Sequence, residues 1–161
     1  MKKNIVFLGL LLLMGAWLYW KYRVPHTISL QNIALVNQSG EKVTLNDYSQ
    51  NHLVVSIYAS WCPPCMQELP QLYDFATTME KDGFKVICIT DEPFEKYKRL
   101  QDKFGDKIIF LRSVASREEL NIPTIPTNFV FDKNRKLVYQ KVGEEDWSSA
   151  EKKAAMLQLV K

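Results

Sequence analysis

Leu53-Val54-Val55-Ser56-Ile57-Tyr58-Ala59-Ser60-Trp61-Cys62-Pro63-Pro64-Cys65 is the stretch whose reading decides the fold. Its first six residues have the nearly unbroken apolar character of a strand covered on both faces. Its last four open a helix, because the first helical turn has no intrahelical use for the N–H groups that Pro63 and Pro64 lack, and their fixed φ suits a helix start. Two thiols three residues apart at such a junction can close into a small disulfide ring and reopen without moving the backbone far. That is what a reversible two-electron carrier requires.

The spacing also assigns roles. At the first helical turn, unpaired N–H groups and the positive end of the helix dipole favour a thiolate over a thiol, so Cys62 is the expected nucleophile. Cys65 falls on the same side of the helix and is the expected resolving thiol, which attacks a mixed disulfide on Cys62 and releases the partner. Neither Pro63 nor Pro64 donates a hydrogen bond to the Cys62 sulfur or brings a cation. The thiolate is therefore less stabilised than in a motif with histidine there, and a less stabilised thiolate favours the disulfide form and makes the pair a better reductant. A structural zinc site needs four ligands, and Cys88, His26 and His52 have no ligand-like spacing to the pair, so no metal is expected. A copper carrier would want a histidine downstream of the thiols, and none follows His52. Cys88, within Val86-Ile87-Cys88-Ile89, reads as a small hydrophobe in a buried strand.

Working outward, 161 residues allow one compact domain plus a short appendage. The appendage is N-terminal: after Lys2 and Lys3, residues 5–20 carry no charge, and Lys21 and Arg23 close the segment. Those sixteen residues would span about 24 Å as a helix, slightly short of a typical hydrocarbon core. A cut after Ala16 would put Met14 at −3 and Trp17 just beyond, a poor signal-peptidase site. Trp17, Tyr19, Trp20 and Tyr22 instead form an aromatic belt at the far end. The expectation is an uncleaved anchor over residues 1–23 and a soluble domain over 24–161, with a cleaved signal peptide as the alternative. The positive-inside rule, weakly, and the cysteine pair together put the domain on the extracytoplasmic side of the cell membrane. Of the 21 Lys and Arg, four lie in residues 1–23, so the remainder carries 17 basic against 18 acidic residues. A near-neutral domain without a basic run gives no ground for nucleic-acid binding.

Pro25 breaks the anchor helix, and short strands are expected at 33–35 and 42–45 around the turn Asn37-Gln38-Ser39-Gly40. After the strand at 53–58, a helix is expected from Pro63 to about Lys81. Leu69, Leu72, Tyr73, Ala76 and Met79 share its apolar face, and Pro70 should kink it. Then come a buried strand at 84–89, a helix at 93–104 with the stripe Phe94, Tyr97, Leu100 and Phe104, a strand at 108–111, and one or two helical turns at 114–120. Strands at 127–131 and 137–142 flank Asp132-Lys133-Asn134-Arg135, where Asn134 is best able to adopt the left-handed conformation. Ser148 and Glu151 form a capping-box pattern for a last helix with Trp147, Ala150, Ala154 and Leu157 on its apolar side.

This order of elements, with Ala59-Ser60-Trp61-Cys62-Pro63-Pro64-Cys65, Glu68-Leu69-Pro70 and Pro126-Thr127-Asn128-Phe129-Val130-Phe131-Asp132, resembles the thioredoxin superfamily. Within it the chain is similar to the membrane-anchored TlpA/ResA/CcmG-type thiol-disulfide oxidoreductases. The resemblance runs from about Ile28 to Trp147. It implies an α/β thioredoxin-like fold: an N-terminal edge hairpin and a central mixed sheet flanked by helices, preceded here by one transmembrane anchor. It also implies that Pro126 is a cis-proline facing the cysteines, that the Ile125 backbone pairs with an extended substrate segment, and that Trp61 offers a partner an apolar platform. Glu68 matches the acidic residue that follows the motif in this subgroup, where a carboxylate could accept or relay the Cys65 proton. Two positions depart from the wider pattern. Ser56 stands where cytosolic-type thioredoxins carry a buried Asp, which leaves Glu68 to supply any acid–base help, and Arg135 stands where the family's Asp-x-x-Gly turn has glycine.

The resulting expectation is a membrane-anchored extracytoplasmic reductase of disulfides in cysteine-containing exported proteins, with apocytochrome c as one substrate the family suggests. A membrane dithiol donor would recharge it, and no cofactor is needed. The alternatives are an oxidase or isomerase using the same thiols, and a tethered binding module with a structural disulfide. A thiol peroxidase would want a hydroxyl where Ala59 stands.

Overall fold

The computed structural model describes residues 14–15, 30 and 33–161. The expected anchor lies outside the described residues apart from positions 14–15, and among the described residues no helix is long and apolar enough to cross a membrane. Among the described residues seven strands form one mixed sheet: β1 (Leu35–Val36), β2 (Lys42–Val43), β3 (His52–Ile57), β4 (Phe84–Thr90), β5 (Ile108–Ser113), β6 (Thr127–Phe131) and β7 (Leu137–Val142). The spatial order is β2-β1-β5-β4-β3-β6-β7. β3, β4 and β5 are parallel, and β6 pairs antiparallel with both β3 and β7. The N-terminal hairpin extends the far edge, with β1 antiparallel to β5.

From residue 33 onward the α-helices are α1 (Pro63–Met79), α2 (Phe94–Phe104) and α3 (Ala150–Leu159). The two crossovers β3-α1-β4 and β4-α2-β5 step across the sheet in the same direction, so the right-handed rule puts both helices on one face. Phe75, Phe84, Tyr97, Phe104, Phe110, Trp147 and Met156 share a core there. The sheet is flanked by helices as expected, all of them packed on this face; the second core, around Leu45, Leu53, Ile57, Ile89, Ile122 and Phe129, lies on the other face and is closed by a 3₁₀ turn and irregular chain. One part of that cover is a 3₁₀ turn, Leu45–Tyr48, where the second edge strand was expected to continue. The Asp47 carboxylate accepts the Thr44 N–H at 2.6 Å and turns the chain out of the hairpin.

The other part is the connection from β5 to β6. Its expected helical turns are present only as a hydrogen-bonded turn: Ile122 N–H donates to the Arg117 carbonyl at 2.8 Å and Asn121 N–H to that of Glu118 at 3.0 Å. With Asn121 at φ 55° this is a Schellman-type closure, and Pro123 stops any continuation. Two other expectations shift by one residue. Ser149, not Ser148, caps α3 by accepting the Lys152 N–H, because Ser148 is held by the Asp146 carboxylate. The core side of the helix is Met156, with Ala155 and Leu157 packed beside it, while Ala150 and Ala154 are exposed.

In the β6–β7 hairpin the left-handed residue is Arg135 (φ 63°), not Asn134. The guanidinium supplies the reason: Arg135 is 5% exposed and donates to the carbonyls of Leu45 at 3.2 Å and Asn51 at 2.9 Å, tying the hairpin to the segment before β3. Replacing Arg135 with glycine relieves a left-handed backbone worth roughly 1–2 kcal/mol but removes charged hydrogen bonds worth roughly 1.5–3 kcal/mol each. Arg135→Gly is expected to lower the unfolding free energy in urea by about 1–5 kcal/mol, despite restoring the family's turn residue; an unchanged or higher midpoint would refute this role.

Candidate active site

Strand β3 is buried from Leu53 to Ile57 and ends beneath the cysteine pair. Tyr58 N–H still donates to the Ile89 carbonyl at 3.0 Å, carrying the sheet one residue further, and Cys62 N–H turns back to the Ala59 carbonyl at 3.2 Å. Cys62 is the N-cap of α1, with Pro63 and Pro64 at the first two helical positions. Because those prolines have no N–H, the first donor α1 can offer is that of Cys65, and it points at the Cys62 sulfur at 3.3 Å. Cys62 and Cys65 are joined as a disulfide with their Cα atoms 5.3 Å apart. Cys62 is 4% exposed and Cys65 2%, whereas the neighbouring Trp61 is 63% exposed. The disulfide therefore lies just under the surface, with the indole as the part of the motif that a partner meets first.

The Ile125–Pro126 peptide bond is cis, as the resemblance implied. Pro126 is buried and Ile125 half-buried, at the start of β6. Thr127 pairs with Ile57, so the proline loop stands at the same end of the sheet as the cysteines. A groove of about 260 Å³ lined by Ile122, Pro123, Thr124, Thr127, Gln140 and Val142 runs beside it.

Glu68 is 1% exposed, a buried carboxylate. Its Oε1 accepts three N–H groups: Asn128 Nδ2 at 2.9 Å, the Glu145 backbone at 2.9 Å and Trp147 Nε1 at 3.0 Å. Among the described residues no group donates to Oε2. Burial pushes its pKa up to about 7 against the lowering effect of those donors, and the Glu145 charge adds to the rise. The thiol of Cys88, on β4 opposite Ser56, is pushed up by its own burial and then by the Glu68 charge. It stays a thiol throughout the working range and does not compete with Cys62.

Sequence reasoning missed the residues that hold this site. The Glu92 carboxylate accepts both Ser60 N–H, at 2.6 Å, and Ser60 Oγ–H, at 2.9 Å, clamping the loop before Trp61. Asp91 pairs with Arg117 at 3.2 Å, and the Arg117 guanidinium lies 5.3 Å from the centre of the Trp61 ring. These carboxylates had no spacing signal because they meet the motif only across the sheet. Asn128 lay within the quoted proline motif but was read as strand, and Trp147 was read as an apolar helix residue.

Residues 25–157 match the Redoxin family. The chain belongs to that family. It is similar to the thiol-disulfide oxidoreductase ResA of Bacillus thuringiensis, 24% identical over 119 residues that make up 71% of this chain and 68% of that protein. It is also similar to sporulation thiol-disulfide oxidoreductase A of Bacillus subtilis, 28% identical over 110 residues, 65% of this chain and 66% of the relative. Among solved structures, a thioredoxin-like protein from Porphyromonas gingivalis is 26% identical with a TM-score of 0.66, covering 83% of this chain and 92% of that one. With a bonded Cys62–Cys65 pair, this Redoxin-family chain is a thiol-disulfide oxidoreductase, TlpA/ResA/CcmG-like within the thioredoxin superfamily.

A carboxyl whose folded pKa is raised from 4.5 to about 7 contributes stability that is complete below pH 4.5 and is lost as pH rises through about 7. In oxidised protein, wild type should therefore lose on the order of 3 kcal/mol relative to Glu68→Gln between pH 4.5 and pH 7.5. Urea unfolding across that range checks this; parallel curves for the two proteins would show that Glu68 is not protonated at the acid end.

Proposed function

We propose that the chain is a membrane-anchored reductase of disulfides in exported proteins, with residues 1–23 as the anchor and the described domain on the extracytoplasmic side. The observation that carries the direction is the donor supply at the Cys62 sulfur. With prolines at the first two helical positions, α1 offers it the Cys65 N–H at 3.3 Å, while the charged side chains clamping and underlying the motif include the carboxylates of Glu92 and Glu68. A thiolate so weakly supported gives up its electrons readily, which favours reduction of the partner.

In the reduced enzyme the Cys62 thiolate attacks one sulfur of a substrate disulfide, and the other substrate sulfur leaves as a thiolate. Cys65 gives its proton to the Glu68 carboxylate and attacks the Cys62 sulfur of the mixed disulfide, expelling the second substrate thiolate. Two electrons have then passed to the substrate, and a membrane dithiol donor supplies two more to the Cys62–Cys65 disulfide, becoming a disulfide itself. Trp61 supplies the apolar contact, and the backbone at Ile125, ahead of Pro126, pairs with an extended stretch of substrate. Because the sulfurs are nearly covered, the fitting substrate is a flexible cysteine-bearing segment rather than a folded surface. The cysteine pair of an apocytochrome c before haem attachment is such a segment, and both curated relatives named above are called thiol-disulfide oxidoreductases, which supports the activity but not a particular substrate.

Equilibration of the protein in dithiothreitol and glutathione buffers should give a potential near the reducing end of the range, about −250 mV or lower. A potential near about −120 mV would mark an oxidase and overturn the direction. In a separate reaction free of added thiol, reduced Cys65→Ser should accumulate mixed disulfides through Cys62 with an unfolded peptide that carries a disulfide, one peptide sulfur leaving as a thiolate, and Cys62→Ser should accumulate none.

A further inference from the structure

A buried carboxylate held only for structure has its acceptors filled, since an unpaired buried polar atom costs about 1–3 kcal/mol. Glu68 is arranged otherwise. All three N–H donors converge on Oε1, and Oε2 is buried with no donor among the described residues. The donors come from three places: Asn128 on β6, the Glu145 backbone just after β7, and Trp147 ahead of α3. Each is held by further contacts. Asn128 is 0% exposed and in register with Ser56 on β3. Trp147 is also 0% exposed, stands edge-on to Phe75 with ring centres 5.4 Å apart, and donates its backbone N–H to Gln71 Oε1 at 3.2 Å. Glu145 is held by Lys152 at 2.7 Å and by the Tyr139 hydroxyl.

We propose that Asn128 and Trp147 are positioning residues of the exchange reaction, which pin Glu68 through Oε1 and so reserve Oε2 as the atom that takes the Cys65 proton. This rests on the reading of Glu68 as the proton acceptor given above. In the resolving step the Cys65 S–H bond breaks, its proton bonds to Oε2, and the electron pair left on sulfur forms the new bond to Cys62 as the substrate thiolate departs. Protonation at Oε2 leaves all three N–H groups paired with Oε1, whereas protonation at Oε1 would displace at least one buried donor. Asn128 and Trp147 donate to the carboxylate and therefore favour its charged form; losing either shifts protonation to higher pH. The ionisable groups around Glu68 are Cys65 on its own helix, Cys88 on β4, and the Glu145 carboxylate with its partners Tyr139 on β7 and Lys152 on α3. Among these the Glu145 charge raises the Glu68 pKa, while Lys152 lies against Glu145.

The test is NMR of the full-length chain with ¹³C-labelled glutamate carboxyls, using Glu68→Gln to identify the Glu68 signal. Asn128→Leu and Trp147→Phe should each move its titration midpoint upward by about one pH unit. A midpoint unchanged in both variants overturns the proposal. Wild type supplies a second readout that does not depend on either variant folding: the Trp147 indole N–H and the Asn128 side-chain N–H signals should move with pH at the Glu68 midpoint, and should stop doing so in Glu68→Gln. Signals that stay flat through that midpoint also overturn it. If instead Glu68→Gln leaves the pH profile of disulfide exchange unchanged while the NMR shifts occur, the three donors hold Glu68 as described, but its part in the reaction falls.

Discussion

The Cys65 N–H, 3.3 Å from the Cys62 sulfur, is the contact on which the rest of the structure depends. It exists because Pro63 and Pro64 remove the two earlier donors of α1, so the helix's first available N–H is the one that faces its own N-cap. For that to happen at the surface, β3 must end at Ile57 and α1 begin at Pro63, and the sheet sets both limits. Tyr58 still pairs with Ile89, while Ser60 is already held by Glu92 from the loop after β4. One backbone N–H and the helix dipole meet at one sulfur, the clamp holds the loop before it, and the activity follows from that sulfur's chemistry.

A second constraint sits beneath it. Burying a carboxylate in a core that contains Phe75, Cys88 and Trp147 is costly unless it is hydrogen-bonded, and three N–H donors offset much of the penalty while leaving the pKa near 7. Ser56 removes the acid from β3, but Asn128, its cross-strand neighbour, binds an acid supplied by α1 instead. The charge has moved from strand to helix within one buried neighbourhood. A group poised near neutral pH beside a dithiol can accept a proton in one half of a cycle and return it in the other.

The parts of the fold visible in the sequence were those set by local patterns. The apolar runs of β3 and β4, both strands of the last hairpin and the stripe of α2 are where periodicity puts them, since burial on a sheet face or helix stripe acts through neighbouring residues. The proline motif carried the cis bond through resemblance. What was hidden depends on contacts distant in the chain. Arg135 takes the left-handed position because its guanidinium finds carbonyls some ninety residues earlier. Ser148 loses the capping position to Ser149 because Asp146 takes its hydroxyl. Glu92, Arg117 and Trp147 reach the site only once the sheet has formed, so no spacing along the chain could reveal them.

The most direct test of the central claim is differential alkylation of the reduced protein across pH, with each cysteine followed by mass spectrometry. Cys62 should react about ten-fold or more faster than Cys65 near neutral pH, as expected for a thiolate at a helix N-terminus, with Cys88 unreacted until the protein unfolds. Faster modification of Cys65, or equal inertness of both residues in the folded protein, would contradict the assignment of Cys62 as the reacting sulfur.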